Sequence, residues 1–104
     1  MSAAAPITVF ARVKVRSGSE GAAEAAFRRH VEHVRREEPG TLVYVMHRSR
    51  KDPTIFAFYE RYEDAAAFDR HGKSAAMQSL FRELTPLLDG APAIELCDEL
   101  DGKR

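Results

Sequence analysis

The sequence predicts an α+β fold, a ferredoxin-like sandwich with the element order β-α-β-β-α-β, and three observations support this prediction. Strand-like composition or alternation occurs in four segments, at residues 7–16, 41–49, 54–62 and 93–100. Helical spacing of apolar residues occurs after the first and after the third of these segments. Turn residues separate the segments. Strands in this order form a four-stranded antiparallel sheet with the helices on one face.

The first strand is predicted because apolar residues alternate with mainly polar ones over residues 7–16. One side of this strand carries Ile7, Val9, Ala11, Val13 and Val15. The other side carries Thr8, Phe10, Arg12, Lys14 and Arg16. The pattern indicates a strand with one buried face and one face outside the helix-covered core.

A long helix follows this strand. Its start is predicted either at a capping box formed by Ser17 and Glu20 or at Ser19 as a simpler cap. The helix is expected to reach Glu38, where a Pro-Gly pair stops it. Its apolar face contains Ala23, Phe27, His30, Val31 and Val34.

Three further strands are predicted. Residues 41–49 and 54–62 are rich in β-branched and aromatic residues, and the Arg-Lys-Asp-Pro segment between them has the composition of a hairpin turn. The last strand, residues 93–100, places Ile94, Leu96 and Asp98 on one side and Glu95, Cys97 and Glu99 on the other. Because a hairpin turn joins them, the strands at residues 41–49 and 54–62 are expected to be antiparallel.

The second helical region is predicted in two pieces. Asp64 is expected to cap a short helix, residues 65–70, that ends at His71 and Gly72. Ser74 is expected to cap the next helix. The apolar face of this helix is predicted to contain Met77, Phe81, Leu84 and Leu88.

Composition predicts one domain, residues 7–100, with a flexible leader at residues 1–6 and a loose tail at residues 101–104. The 104 residues are 44% hydrophobic and 31% charged, as in ordinary globular proteins. Sixteen basic residues balance sixteen acidic ones, so no net positive field favours nucleic acid or an anionic membrane. Without a secretory pattern or about 20 consecutive apolar residues, we expect a cytoplasmic protein. The single cysteine, Cys97, permits no internal disulfide.

The first candidate for chemistry is His71. It lies three residues after Phe68, so both side chains are expected on the helix face that looks towards the sheet. Burial among aromatic residues disfavours the charged form of histidine and would leave a neutral imidazole that can accept a proton. The structural alternative is a histidine bonded to free carbonyls at the helix end.

Two other histidines lie on the long helix. His30 belongs to its apolar face and is expected either to reach the same cavity or to be a hydrogen-bonded core residue. His30 and His33 have the i, i+3 spacing of a metal pair, but His33 lies among charged residues and no carboxylate completes a known ligand pattern. We therefore predict no metal site.

An enclosed pocket is expected between the third strand and the second helical region. Besides His30, the candidate substrate-binding residues are Tyr44, Tyr59, Glu60, Tyr62, Phe68, Met77 and Phe81. Tyrosine combines an apolar ring with a hydroxyl group, which suits a phenolic or quinone-like ligand, although aromatic strand residues are usually core residues. Glu60 is expected to face solvent or to lie near the cap of the short helix. The sequence has no nucleophile elbow, phosphate loop or dinucleotide fingerprint, so hydrolase and nucleotide functions are not supported.

Five residues match the pattern E-x-[WY]…F-x-x-H-x-x-S, namely Glu60, Tyr62, Phe68, His71 and Ser74. On these residues the chain resembles the antibiotic biosynthesis monooxygenase domain family, and the resemblance covers nearly the whole chain. It implies a dimeric α+β barrel, in which two chains pair their uncovered sheet faces as a homodimer. An uncovered apolar sheet face independently favours a partner.

The resemblance also implies an activity. One branch of the family oxidises phenols, hydroquinones or polyketide anthrones with O2 and no cofactor, because the substrate is the reductant. By this resemblance the chain is a monooxygenase for a quinol, phenolic or polyketide-type aromatic, with His71 as the base. The alternatives are a small-carbonyl isomerase and a non-catalytic dimeric domain that binds a small molecule or has a stress-related role.

Another branch of the family degrades heme. Its asparagine, tryptophan and histidine correspond to Ala11, His71 and Phe81 in this chain. The axial histidine is missing and the chain has no tryptophan, so heme degradation is not expected.

Overall fold

A computed structural model describes residues 5–104 and confirms the α+β fold with ferredoxin-like strand order. The elements are β1 (Ile7–Lys14), α1 (Glu20–Glu37), β2 (Thr41–Arg48), β3 (Ile55–Tyr62), α2 (Ala65–Lys73), α3 (Ala75–Leu84), a 3-10 turn (Thr85–Leu87) and β4 (Ala93–Cys97). The sheet is antiparallel in the order β2-β3-β1-β4. Residues 1–4 of the predicted leader lie outside the described residues.

The helices cover one face of the sheet and form the core with it. On β1, Val9 and Val13 are buried under the helices, whereas Phe10 is 51% exposed on the opposite face, as the alternation predicted. Phe27 of α1 packs against Phe56 and Phe58 of β3, with ring centroids 5.1 and 4.9 Å apart. These contacts fix α1 over the centre of the sheet.

The start of α1 differs from the prediction. Ser19 is the N-cap residue, but its side chain accepts no hydrogen bond from the helix. The carboxylate of Glu20 instead accepts from the N–H of Gly18, which has a φ of 94°. The predicted capping box of Ser17 and Glu20 is therefore wrong, because the tight turn at Gly18 directs the Glu20 carboxylate to a different amide.

The predicted end of α2 at His71 and Gly72 is also wrong, because the helix continues to Lys73. The predicted cap at its start is confirmed, since Asp64 accepts from the N–H of Ala67. Ser74 forms the corner between α2 and α3. Its Oγ accepts from the N–H of Met77 at 3.1 Å and donates to the carbonyl of His71 at 2.9 Å.

The buried face of α3 is rotated from the predicted one. Leu80 and Leu84 are buried and Met77 is half-buried, whereas Phe81 is 42% exposed. The helix packs against α1, and the residues that it buries in the core are Leu80 and Leu84. The prediction that Phe81 belongs to the enclosed apolar face is therefore wrong.

The last strand is shorter than predicted and ends at Cys97, which is half-buried. It lies at the sheet edge beside β1, where Ile94 and Leu96 are 57% and 51% exposed. Of the predicted loose tail, Arg104 forms an ion pair with Glu99. Within residues 5–104, no helix combines the length and apolar content that a membrane span requires.

Candidate functional site

The ring of His71 is buried between α2 and the sheet, with 4% of the side chain exposed. Its Nδ1 lies 2.7 Å from Oε1 of Glu38, at the end of α1. The ring centroid is 5.2 Å from those of Tyr44 and Tyr62 and 5.6 Å from that of His30. The structural alternative, a bond to helix-end carbonyls, does not describe this ring, because its partner is a carboxylate.

Sequence reasoning missed Glu38. It is the C-cap residue of α1, and its Oε1 also accepts from Oγ1 of Thr41 at 2.8 Å. Burial raises the pKa of Glu38, but the hydrogen bonds from His71 and Thr41 outweigh this effect and hold the pKa below its usual range. The residue ends a run of charged residues on α1, a pattern typical of a solvated surface, and only the fold brings it to His71.

His30 lies beside His71. Together with Tyr44, Glu60 and Tyr62, these two histidines form a buried cluster. Its side chain is 5% exposed, and its Nε2 has no hydrogen-bond partner among the described residues. Burial, followed by the nearby charge of His71, lowers the pKa of His30 to about 4. At neutral pH His30 is therefore an uncharged imidazole with one free polar atom. The expected hydrogen-bonded core histidine is not what the structure contains.

Glu60 and Tyr62 form a buried pair on β3. The hydroxyl of Tyr62 donates to Oε1 of Glu60 at 2.5 Å, and the Glu60 side chain is 6% exposed. Burial raises the pKa of Glu60, although Tyr62 and His71 act in the opposite direction. The prediction that Glu60 faces solvent or the helix cap is wrong, because β3 alternation places Phe56, Phe58, Glu60 and Tyr62 together under the helices.

Tyr44 completes the cluster from β2. It lies opposite Glu60 in the strand register, and its ring centroid is 5.6 Å from those of His30 and Phe58. Burial and the charge of Glu60 raise the pKa of Tyr44, so its hydroxyl remains a neutral donor.

Instead of the predicted single enclosed pocket, several open clefts surround the cluster, and two of them share Glu38. One cleft of about 370 Å³ is lined by Glu38, Gly40, Arg70, His71 and Ser74, among others. The other, of about 310 Å³, lies beside Tyr44 and is lined by Val34, Glu38, Thr41 and Leu42, among others. The aromatic rings around His71 lie 5.2 to 5.6 Å apart, and the two clefts reach them from the end of α1.

The remaining predicted residues divide into two groups. Phe68 packs on Tyr62 with ring centroids 5.2 Å apart, and Met77 packs against the core, so both adjoin the cluster. Tyr59 lies on the opposite sheet face, where its ring is 5.6 Å from that of Phe10. The expectation that Tyr59 shares the pocket with Tyr62 is wrong, because odd and even positions of β3 face opposite sides. Phe81 lies outside the core.

The cluster combines proton acceptors and donors in a largely apolar setting. His71 and His30 supply imidazole nitrogens, and Tyr44 supplies a hydroxyl donor. Among residues 5–104, no three histidine, cysteine or acidic side chains lie close enough together to hold a metal ion. The arrangement can accept a proton at an imidazole nitrogen and donate a hydrogen bond from a hydroxyl group.

A sequence profile described as antibiotic biosynthesis monooxygenase matches residues 6–83. Among curated proteins, none matches the sequence. The family match includes the segments that carry Glu38, Glu60 and His71.

Solved structures with the same fold include three that are more than 25% identical. A candidate antibiotic biosynthesis monooxygenase from Caulobacter crescentus is 28% identical, with a TM-score of 0.90 over 95% of this chain and 93% of that chain. A Pseudomonas aeruginosa protein is 28% identical, with a TM-score of 0.86 over 97% and 100% of the two chains. A Shewanella oneidensis protein is 29% identical, with a TM-score of 0.82 over 90% of each chain.

Proposed function

Because this chain belongs to the antibiotic biosynthesis monooxygenase family, we propose that it is a monooxygenase that oxidises a quinol or another phenolic aromatic with O2 and without a cofactor. The observation that carries the proposal is the buried imidazole of His71 among the rings of Tyr44, Tyr62 and His30. A flat aromatic ligand requires such apolar surroundings, and its hydroxyl requires a proton acceptor.

In the proposed reaction, His71 is the base. The free Nε2 of its ring takes the proton of a substrate hydroxyl, which leaves an electron-rich phenolate. The phenolate passes one electron to O2, giving a substrate radical and superoxide, and these combine at a ring carbon as a peroxide. The imidazolium of His71 returns its proton to the peroxide, and loss of water, with cleavage of the O–O bond and of the C–H bond at that ring carbon, gives an oxygenated quinone. One O2 is consumed, one oxygen atom enters the product, and the substrate supplies all the electrons.

The other residues of the cluster position the substrate. Tyr44 donates a hydrogen bond to a substrate oxygen, and Phe68 and Met77 contribute apolar surface around the cluster. His30 accepts or donates through its unpartnered Nε2. The buried aromatic surroundings of His71 favour an intimate radical pair and limit side reactions.

Oxygen consumption with reduced quinones tests this proposal. The wild-type protein is expected to consume O2 above the rate in buffer, and His71→Gln is expected to bring uptake close to that rate. Glutamine suits this position because its amide can still donate to Glu38. Arg82→Gln is the control, since Arg82 is exposed on α3 and is expected to retain wild-type uptake.

Binding measurements distinguish the alternatives. If reduced quinones bind but O2 uptake stays at the buffer rate in the wild type, the chain is a binding domain and the monooxygenase proposal fails. Conversion of a small carbonyl compound without O2 uptake would instead indicate an isomerase.

We further propose that two chains associate through the uncovered sheet face. Val45, Tyr59 and Phe10 lie opposite one another on β2, β3 and β1, and they form an apolar row across that face. Phe10 and Val45 are 51% and 45% exposed, and their burial would be favourable.

In light scattering, the wild-type protein is expected to have twice the mass of one chain. The Phe10→Glu variant is expected to have the mass of a single chain. Phe81→Glu, which places the same charge on an exposed phenylalanine of α3, is expected to remain dimeric. A wild-type protein with the mass of one chain would contradict the proposal.

A further inference from the structure

We infer that Glu38 is a positioning residue, which holds His71 in the tautomer with its hydrogen on Nδ1 and leaves Nε2 free to accept a proton. The inference rests on the proposed function, because it concerns the base of that reaction. Its experiment, however, reads the ring itself and does not depend on turnover.

The contact between the two side chains determines the tautomer. Oε1 of Glu38 lies 2.7 Å from Nδ1 of His71, which is hydrogen-bond distance. An ionised carboxylate can only accept, so the hydrogen in this bond belongs to Nδ1. A neutral imidazole carries one ring hydrogen, and Nε2 therefore has a free lone pair.

The carboxylate is itself held in place. Thr41 donates to the same oxygen at 2.8 Å, and the backbone N–H of Glu38 donates to the carbonyl of Val34 at 3.1 Å. The hydrogen bonds that lower the pKa of Glu38 keep it ionised at neutral pH. These contacts hold Oε1 towards His71 before a ligand binds, whereas Oε2 has no hydrogen-bond partner among the described residues.

Other titratable groups near His71 do not replace Glu38. They are His30 and His33 from α1, Tyr44 from β2, and Glu60 and Tyr62 from β3. His30 is uncharged at neutral pH, and the carboxyl of Glu60 accepts the hydroxyl of Tyr62. When His71 takes the substrate proton, the carboxylate bonded to it stabilises the imidazolium that forms.

The tautomer is measured by imidazole 15N NMR at about pH 9, where histidine is ordinarily neutral. In the wild type, the Nδ1–H form of His71 is expected to dominate. In Glu38→Gln the amide can donate to Nδ1, and in Glu38→Leu no acceptor remains, so the Nε2–H form is expected to become populated in both. Oxygen uptake is expected to fall about tenfold or more, because a base in the wrong tautomer cannot accept the proton at Nε2.

Two further variants make the test specific. Thr41→Val removes the hydroxyl that orients Glu38 but keeps the side-chain shape, and a smaller shift in the same direction is expected. Asp69→Asn removes an exposed carboxylate of α2 that pairs with Lys73, and it is expected to leave the tautomer and uptake unchanged.

The outcomes separate this inference from the proposed function. Unchanged ring 15N shifts in Glu38→Gln and Glu38→Leu would overturn the positioning role, whatever happens to turnover. A changed tautomer with wild-type oxygen uptake would support the positioning role and overturn the role of His71 as the base.

Discussion

The free energy of unfolding is expected to fall by about 3 kcal/mol between pH 7 and pH 4 through His30 alone. Burial, and then the nearby His71, lowers the pKa of His30 from 6.5 to about 4, while Glu38 acts in the opposite direction and His33 in the same one. The folded protein therefore keeps His30 neutral at a pH where the unfolded chain binds a proton. Stability is lost as the pH falls from about 6.5 towards 4, because the unfolded state binds more protons over that range.

Denaturant unfolding at pH 7 and pH 4 measures this effect. His30→Leu has no titrating group at this position, so its free energy of unfolding is expected to fall by about 3 kcal/mol less than that of the wild type. Arg82→Gln, at an exposed position of α3, is expected to follow the wild type. An equal loss in His30→Leu and the wild type would show that folding does not lower the pKa of His30.

The fold could be predicted because its signals are local. The alternation around Val9 and Phe10 fixes which face of β1 is buried, and Asp64 caps α2 through an amide three residues away. The end of α2 could not be read in the same way. A glycine at position 72 is tolerated inside a helix at a modest cost, so Gly72 is a weak stop signal, and the corner is made at Ser74.

The site could be predicted only in part, because several of its contacts join distant segments. His71 could be selected from its spacing to Phe68 on one helix. Its partner Glu38 is 33 residues away, and no local pattern connects the two. The sequence prediction assigns Tyr59 and Glu60 to the wrong faces of the sheet. The aromatic residues of β3 occupy both odd and even positions, so they hide the alternation.

Gly40→Ala is expected to destabilise the protein by about 1–3 kcal/mol, the usual range for overpacking. A Cβ at position 40 would lie 2.8 Å from the Cβ of Ala67, closer than two carbon atoms can approach. The methyl group of Ala67 cannot rotate away, so either α2 or the segment after α1 has to move. Ala67 lies one helical turn before His71, and Gly40 lies two residues after Glu38. This movement is therefore expected to lengthen the hydrogen bond between Glu38 and His71.

Gly72→Ala is the matched control on the same helix. Apart from the neighbouring residues and the helix backbone, no atom lies within 4 Å of a Cβ at position 72. Gly72 is inside α2, so alanine is expected to stabilise the helix by about 0.5–1 kcal/mol. Denaturant unfolding at pH 7 measures both variants. If Gly40→Ala were as stable as the wild type, the contact of the chain at Gly40 with Ala67 would not be tight. Opposite signs for the two glycines would show that close packing, and not backbone freedom, requires glycine at position 40, and that this packing holds α2 against the segment carrying Glu38.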